Sequence, residues 1–156
     1  PYDLVANLPY YIATNIILKA LADPMCKNIL VMVQLEVAEK FCADAGEKVF
    51  GSLGIITQSV GTAKIIVKVP PTAFDPQPKI DSAVFLIQKH ADRSDKDFED
   101  MLRVAFSQPR KTLRKNLSAK YDKELLAEAF EILELAPTIR PHQVCTKDYH
   151  QLYKII

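Results

Sequence analysis

This sequence lacks the usual means of holding a metal or a disulfide framework. It has 3 cysteines, Cys26, Cys42 and Cys145, set far apart with no C-x-x-C pair, and 3 scattered histidines, His90, His142 and His150. Neither a zinc site nor a set of disulfides is expected, and a reducing, cytoplasmic setting fits such cysteine usage. Charge of one sign is lacking too, since 20 Lys and Arg against 19 Asp and Glu leave a net +1. Total charge therefore gives no argument for a nucleic-acid partner; that argument has to come from where the cations sit. No apolar run approaches the roughly 20 residues of a membrane span, and the start does not have the layout of a signal peptide. Glycine is scarce as well. Gly46, Gly51, Gly54 and Gly61 do not form a glycine-rich loop of the kind that holds a nucleotide-like cofactor at a helix N-terminus.

What is present is ordinary for a globular chain: 49% apolar and 25% charged residues. A length of 156 residues allows one sizeable core, or one incomplete domain plus a small one. Leu4–Ala6 reads as a short buried strand, stopped by Asn7-Leu8-Pro9-Tyr10. Ile12, Ile16, Ile17, Ala20 and Leu21 fall at spacings of three and four, which predicts an amphipathic helix over 12–22, closed by Asp23-Pro24. The uninterrupted run Ile29–Val33 predicts a strand buried on both faces of a parallel sheet. Helices follow over 35–43 and 53–60, then strands over 64–69 and 83–88. The connection between those strands holds four prolines, Pro70, Pro71, Pro76 and Pro78, and is expected to be a fixed, shaped loop. After Lys89 the pattern is helical throughout, over about 97–106, 110–120, 123–133 and 147–155. The expected organisation is an α/β unit over 1–90 and a small all-α domain over 91–156. Because the chain opens with Pro1 in what reads as mid-strand, it is expected to be the later part of a longer protein, exposing a raw sheet face and edge that invite oligomerisation.

Asn7-Leu8-Pro9-Tyr10 stands at the carboxyl end of the first strand, where open α/β sheets place ligands. Its residue types suit an exocyclic aromatic amine. The Asn7 side-chain oxygen and the Leu8 carbonyl can each accept one N–H, Pro9 brings no competing donor, and Tyr10 offers a flat face to a purine. The same tetrapeptide also reads as an ordinary turn, and Phe74 in the proline loop reads, on residue type alone, more readily as a core anchor than as a stacking face. The stretch Arg110-Lys111-Thr112-Leu113-Arg114-Lys115 carries no acid between Pro109 and Lys120. On one helix, Arg110, Arg114 and Leu117 would share a face and Lys111 and Lys115 a neighbouring one. That pattern makes either a phosphate-binding surface or a plain solvated face.

A motif of D/N/S, then P/L/I, then Pro, then an aromatic belongs to amino-group methyltransferases that use S-adenosylmethionine. N-L-P-Y after an apolar strand resembles the ribosomal-RNA adenine-N6 branch. The likeness continues through Met32-Val33-Gln34 with Glu36-Val37-Ala38, through Phe50-Gly51-Ser52-Leu53, and through Phe106-Ser107-Gln108-Pro109-Arg110-Lys111-Thr112-Leu113-Arg114. Its most specific stretch is Val69–Val84, similar to V-P-P-x-x-F-x-P-x-P-K-V-x-S-A-V. In sum the chain resembles the bacterial small-subunit rRNA adenine N6,N6-dimethyltransferase family.

The resemblance implies the later strands of a class I (Rossmann-like) methyltransferase sheet followed by a helical rRNA-binding domain. Its substrate would be rRNA of the pre-30S particle, with an extruded adenine dimethylated at N6 and no metal required. It places Asn7 beside both cofactor and target amine, Leu8 and Pro9 in the same catalytic loop, and Tyr10 and Phe74 on the two faces of the base. Arg110, Lys111, Arg114, Lys115 and Lys79 would contact RNA. Two departures stand out: Pro109 replaces an arginine and is expected to set a helix start, and Asn15 stands where a proline is usual. The glycine-rich cofactor loop and the acid after a second strand are not in the chain, so most of the S-adenosylmethionine site is expected to be missing and the chain alone inactive. Two other readings remain: a large-subunit rRNA adenine methylase conferring antibiotic resistance, and a non-enzymatic RNA-binding or ribosome-assembly factor.

Overall fold

The structure, a computed structural model, describes all 156 residues. The chain divides into two compact units, Pro1–Cys42 with Thr57–Ser94 and Ala43–Ile56 with Asp95–Ile156. This differs from a single boundary near residue 90. Ala43, Phe50 and Ile55 bury their side chains in one core with Phe98, Met101 and Leu102, so apolar contact assigns their segment to the helical unit.

The first unit is built on a four-stranded sheet. Its elements are β1 (Tyr2–Asn7), α1 (Ala13–Ala22), β2 (Cys26–Gln34), α2 (Leu35–Cys42), the end of α3 (Ser52–Val60), β3 (Gly61–Val69) and β4 (Ser82–Lys89). The strand order is β1-β2-β4-β3. β1 runs parallel to β2, whereas β4 lies antiparallel to both β2 and β3. Gly61 allows β3 to begin flush against β4, since a Cβ there would collide with the Gln88 carbonyl.

The expectation that β2 is buried on both faces of a parallel sheet is corrected. Ile29, Val31 and Val33 are buried beside Ile87, Phe85 and Ala83 of β4, but Leu30 is 36% exposed. The strand alternates because helices cover only one face: Phe41 of α2 stacks on Phe85 with ring centroids 5.6 Å apart. Val5, 70% exposed, pairs in register with Leu30 on the other face. β1 is an edge strand with no neighbour beyond it.

The second unit is helical: α4 (Lys96–Ala105), α5 (Leu113–Leu117), α6 (Lys123–Ile132) and α7 (Thr146–Ile155). Each of the first three starts on a side-chain cap. Asp95 accepts from the Phe98 N–H, Thr112 from the Lys115 N–H, and Asp122 from the Glu124 N–H. α4 turns Phe98, Met101, Leu102 and Ala105 inward, where they meet Leu113, Leu117, Leu126 and Tyr149. Tyr149 is fully buried and donates its hydroxyl hydrogen to the Pro141 carbonyl at 2.6 Å.

A second correction concerns α5. A helix over 110–120 beginning at Pro109 was expected, but the helix is only five residues and begins at Leu113. Thr112, with φ −65° and ψ 151°, is its N-cap, so Arg110 and Lys111 lie in the loop ahead of it rather than on its faces. No helix in the structure is long and apolar enough to cross a membrane.

Candidate base pocket and cationic groove

Asn7 ends β1, and the chain leaves the sheet there because Pro9 cannot donate to a ladder. The Leu8 N–H still reaches the Met32 carbonyl at 3.2 Å, which ties the tetrapeptide to the carboxyl end of β2. The Pro9 carbonyl accepts from Ile12 N–H at 3.3 Å and closes the turn into α1. Leu8 buries its side chain while Asn7, Pro9 and Tyr10 are exposed. The Leu8 carbonyl accepts no backbone hydrogen bond and the Asn7 side chain makes none, so two acceptors on consecutive residues are unengaged. α1 runs through Asn15 without interruption.

Tyr10 is 40% exposed, and its hydroxyl lies 2.8 Å from the Oγ of Ser82. Ser82 opens β4 and is 1% exposed. Phe74 is half-buried at the end of a 3-10 turn over Pro71–Ala73, and its N–H donates to the Pro71 carbonyl at 3.2 Å. No ring contact joins Phe74 to Tyr10. Lys79 lines a groove of about 370 Å³ with Gln34, Glu36, Glu39 and Asp81. Three carboxylates thus share the groove with this lysine, a poor setting for a phosphate.

In the helical unit the loop before α5 is held by one buried side chain. Asn116 accepts from Ser107 Oγ at 3.0 Å and from the Gln108 N–H at 2.8 Å, and donates to the carbonyls of Gln108 at 2.9 Å and Thr112 at 3.0 Å. All four of its hydrogen-bonding positions are used. The segment so fixed presents Pro109, Arg110 and Lys111. Arg110 lines a groove of about 430 Å³ with Lys48, Phe50, Phe106, Arg140 and His142. No acid lines it. Arg114 and Lys115 instead face a separate pocket of about 290 Å³ with Lys123 and Ser118. None of Arg110, Lys111, Arg114 and Lys115 enters a salt bridge.

Sequence reading thus found Arg110 but missed its companions Lys48, Arg140 and His142, which come from distant segments and carry no local signal. It also missed Ser82 and Asn116. Ser82 lies inside the Val69–Val84 stretch and Asn116 just beyond Arg114, and a small polar residue beside an apolar one is the available sign of each. No group of three or more His, Cys, Asp and Glu side chains is placed to hold a metal ion.

Comparison with known proteins agrees with the motif reading. A family model described as "Ribosomal RNA adenine dimethylase" matches residues 1–156. The chain is 82% identical over 154 residues to the ribosomal RNA small subunit methyltransferase A of Sulfurimonas denitrificans, covering 99% of this chain and 58% of that protein. It is 50% identical over 154 residues to the protein of the same name from Aliarcobacter butzleri, with 97% and 58% covered. The chain therefore spans less than two thirds of the length of these relatives. Among solved structures, a dimethyladenosine transferase from Plasmodium falciparum superposes with a TM-score of 0.82 at 22% identity, covering 97% of this chain and 66% of that one. The 23S rRNA methyltransferase ErmE gives 0.74 at 22% identity, covering 99% and 65%. At that identity the structural likeness shows a shared fold, the class I methyltransferase architecture, and nothing further.

Proposed function

The chain belongs to the ribosomal RNA adenine dimethylase family, and from that premise we propose that it carries the target-base pocket and the RNA grip of an rRNA adenine-N6,N6-dimethyltransferase. The observation that carries the reading is the pair of unengaged acceptors on Asn7 and Leu8 beside the exposed ring of Tyr10. The name of the 82%-identical relative favours small-subunit over large-subunit rRNA as the substrate; an assembling pre-30S particle in the cytoplasm is the setting we propose for it.

The residues fit S-adenosylmethionine only in part. Asn7 is the one residue here assigned to it. Gly54 lies inside α3, Gly61 opens β3, and Gly46 and Gly51 lie between α2 and α3, so none serves a glycine-rich strand-to-helix turn. Most of the cofactor's site then lies outside this chain, and the chain by itself is inactive. When bound, S-adenosylmethionine supplies an electrophilic methyl group.

The chain's residues prepare the amine. The Asn7 side-chain oxygen and the Leu8 carbonyl each accept one N6 hydrogen, drawing the nitrogen toward tetrahedral geometry and freeing its lone pair. Pro9 has no N–H to compete. Tyr10 and Phe74 cover the two faces of the base, and each stack contributes about 1–3 kcal/mol. Together they offset much of the few kcal/mol that extruding a base costs. Positioning, rather than acid–base chemistry, supplies most of the rate enhancement. Methyl transfer leaves N6 cationic, and it sheds one proton to water, since neither the Asn7 amide nor the Leu8 carbonyl is a base. A single N–H then remains, so one acceptor must tolerate a methyl group where it had a donor.

RNA is gripped by the cations. Arg110 and Lys111 on their loop, with Lys48 and Arg140 in the groove, contact phosphates on one side, and Arg114 and Lys115 in the second pocket contact others. The carboxylates that line the same groove make Lys79 the weakest of the RNA contacts. The apolar sheet face around Val5 and Leu30, together with the free edge of β1, is the surface through which the chain alone self-associates.

Calorimetric titration of S-adenosylmethionine, run on this chain and on the full-length Sulfurimonas relative, tests the division of labour. Tight binding by the relative and little by this chain is expected. Equal affinities would overturn the partition. A small-subunit rRNA hairpin, by contrast, should bind the chain in a salt-dependent manner, and its failure to bind would remove the RNA grip from this reading.

A further inference from the structure

We infer that Ser82 is a positioning residue that fixes the ring of Tyr10 for stacking on the target base. The inference rests on the base-pocket reading above and adds to it a residue with no direct contact to the base. Two tyrosines stand side by side where β1 gives way to α1. Tyr11 is 86% exposed and its hydroxyl has no partner, whereas the Tyr10 hydroxyl lies 2.8 Å from Ser82 Oγ. Of the two rings, only one is pinned at its far end.

The pin is rigid because of where Ser82 sits. It is 1% exposed and pairs in register with Gln34 of β2 on one side and Val69 of β3 on the other. The carbonyl of the preceding residue, Asp81, accepts from the Leu35 N–H at 3.0 Å, which ties the start of β4 to the start of α2. Ser82 also ends the proline-rich connection that carries Phe74. The residue that orients one base-stacking ring therefore anchors the loop bearing the other.

The opposite end of β4 holds the opposite end of α1. The buried ammonium of Lys89 donates to the carbonyls of Asp23 at 2.7 Å and Ala20 at 3.4 Å, just where the helix dipole places negative charge. One strand thus clamps the Tyr10–Asp23 segment at both ends. Lys89 fixes the helix, and Ser82 fixes the aromatic ring that precedes it. A ring already held in its stacking orientation loses less freedom when a base docks. That also explains a tyrosine here: phenylalanine would stack as well but could not be pinned.

The experiment measures quenching of 2-aminopurine placed at the target position of a single-stranded RNA, together with side-chain NMR order of the Tyr10 ring. The proteins are the wild-type chain, S82A, Y10F, the double variant, and K89M as a stability control. S82A and Y10F should each weaken the quenching interaction roughly threefold to tenfold. The double variant should lose no more than either single one, because both remove one bond. Ring order at Tyr10 should fall in S82A. K89M should lower the melting temperature and leave probe affinity unchanged, separating positioning from mere stability.

Unchanged affinity in S82A, or additive losses in the double variant, overturns the role of Ser82 while leaving the pocket intact. Absence of quenching by the wild type overturns the pocket reading and this inference with it. Should S82A fail to fold, Y10F reads the same bond from its exposed end, and full affinity in Y10F would equally overturn the inference.

Discussion

Asn116 and Gln108 are tied to each other twice: the Asn116 Nδ2 donates to the Gln108 carbonyl at 2.9 Å, and its Oδ1 accepts from the Gln108 N–H at 2.8 Å. An asparagine amide here does what a strand partner does elsewhere, satisfying both backbone groups of a residue that lies in neither helix nor strand. The loop that follows carries Arg110 and Lys111, so the cationic groove depends on a buried neutral side chain. In N116A the Gln108 N–H loses its partner at a site only 5% exposed. The Gln108 and Thr112 carbonyls keep the N–H groups of Lys111 and residue 116, and the Ser107 hydroxyl keeps the Val104 carbonyl. Leaving that one donor unpaired costs about 1–3 kcal/mol. Urea unfolding should show a lowered midpoint at unchanged slope. An unaltered midpoint would mean that water replaces the amide freely.

Arg110 should contribute to RNA affinity through its charge. R110A is expected to weaken binding to any small-subunit rRNA hairpin and to reduce the slope of log K against log salt by about 0.7–0.9, the yield of one phosphate contact. K79A should change the slope little, because Glu36, Glu39 and Asp81 line the same groove. Finding the larger effect at Lys79 would overturn this ranking of the two cations.

Phe74 should matter for the base and little for the fold. Its ring is only half-buried and stacks on no other aromatic ring. F74A is expected to cost about 1–3 kcal/mol in binding a single-stranded RNA with an exposed adenine, with a smaller change in melting temperature. F74Y should retain most of the affinity. A large stability loss with unchanged RNA binding would return Phe74 to the role of core anchor.

Tyr149 predicts an alkaline limit for the helical unit. Burial pushes its hydroxyl well above the ordinary 10.0, since a phenolate would be formed away from water. The folded state therefore holds this proton more tightly than the unfolded chain does. Its contribution is complete below pH 10 and is lost as pH rises from there toward the raised folded value. Thermal melts from pH 8 to 11 should fall above pH 10, and Y149F should fall less steeply despite losing the bond to the Pro141 carbonyl. Parallel pH profiles for the two proteins would be falsifying.

Much of the fold is readable locally. Ile17, Ala20 and Leu21, which the 3.6-residue repeat marks in the sequence, are buried in α1, whereas Ile12 and Ile16 are only half-buried and Ala13 completes the buried face. The strand runs of β1, β2, β3 and β4 were all identifiable, although each extends further than its apolar residues alone indicate. Where local reading failed, the cause was a competing interaction it cannot weigh. The helix expected from Pro109 gave way because Thr112 caps at Leu113 while Asn116 takes up the backbone of Gln108 and Thr112. β2 looked buried on both faces because its run Ile29–Val33 is apolar throughout. How much of an apolar strand is covered depends on which helices lie over it, and Leu30 and Val5 remain open.

The sequence by itself determined the chemistry on offer: two acceptors and an aromatic ring in Asn7-Leu8-Pro9-Tyr10, an aromatic among prolines at Phe74, and an acid-free run of cations from Arg110 to Lys115. Those assignments depend on side-chain type and short spacing, which a linear chain displays in full. Only the tertiary structure decided what those groups meet. It joined Tyr10 to Ser82 across 72 residues, put Arg110 in a groove with Lys48 and Arg140, and put Lys79 in one that Glu36, Glu39 and Asp81 also line. Such pairings arise because burying apolar surface brings distant segments together, and the polar groups carried along with them must then find partners wherever the packing leaves them.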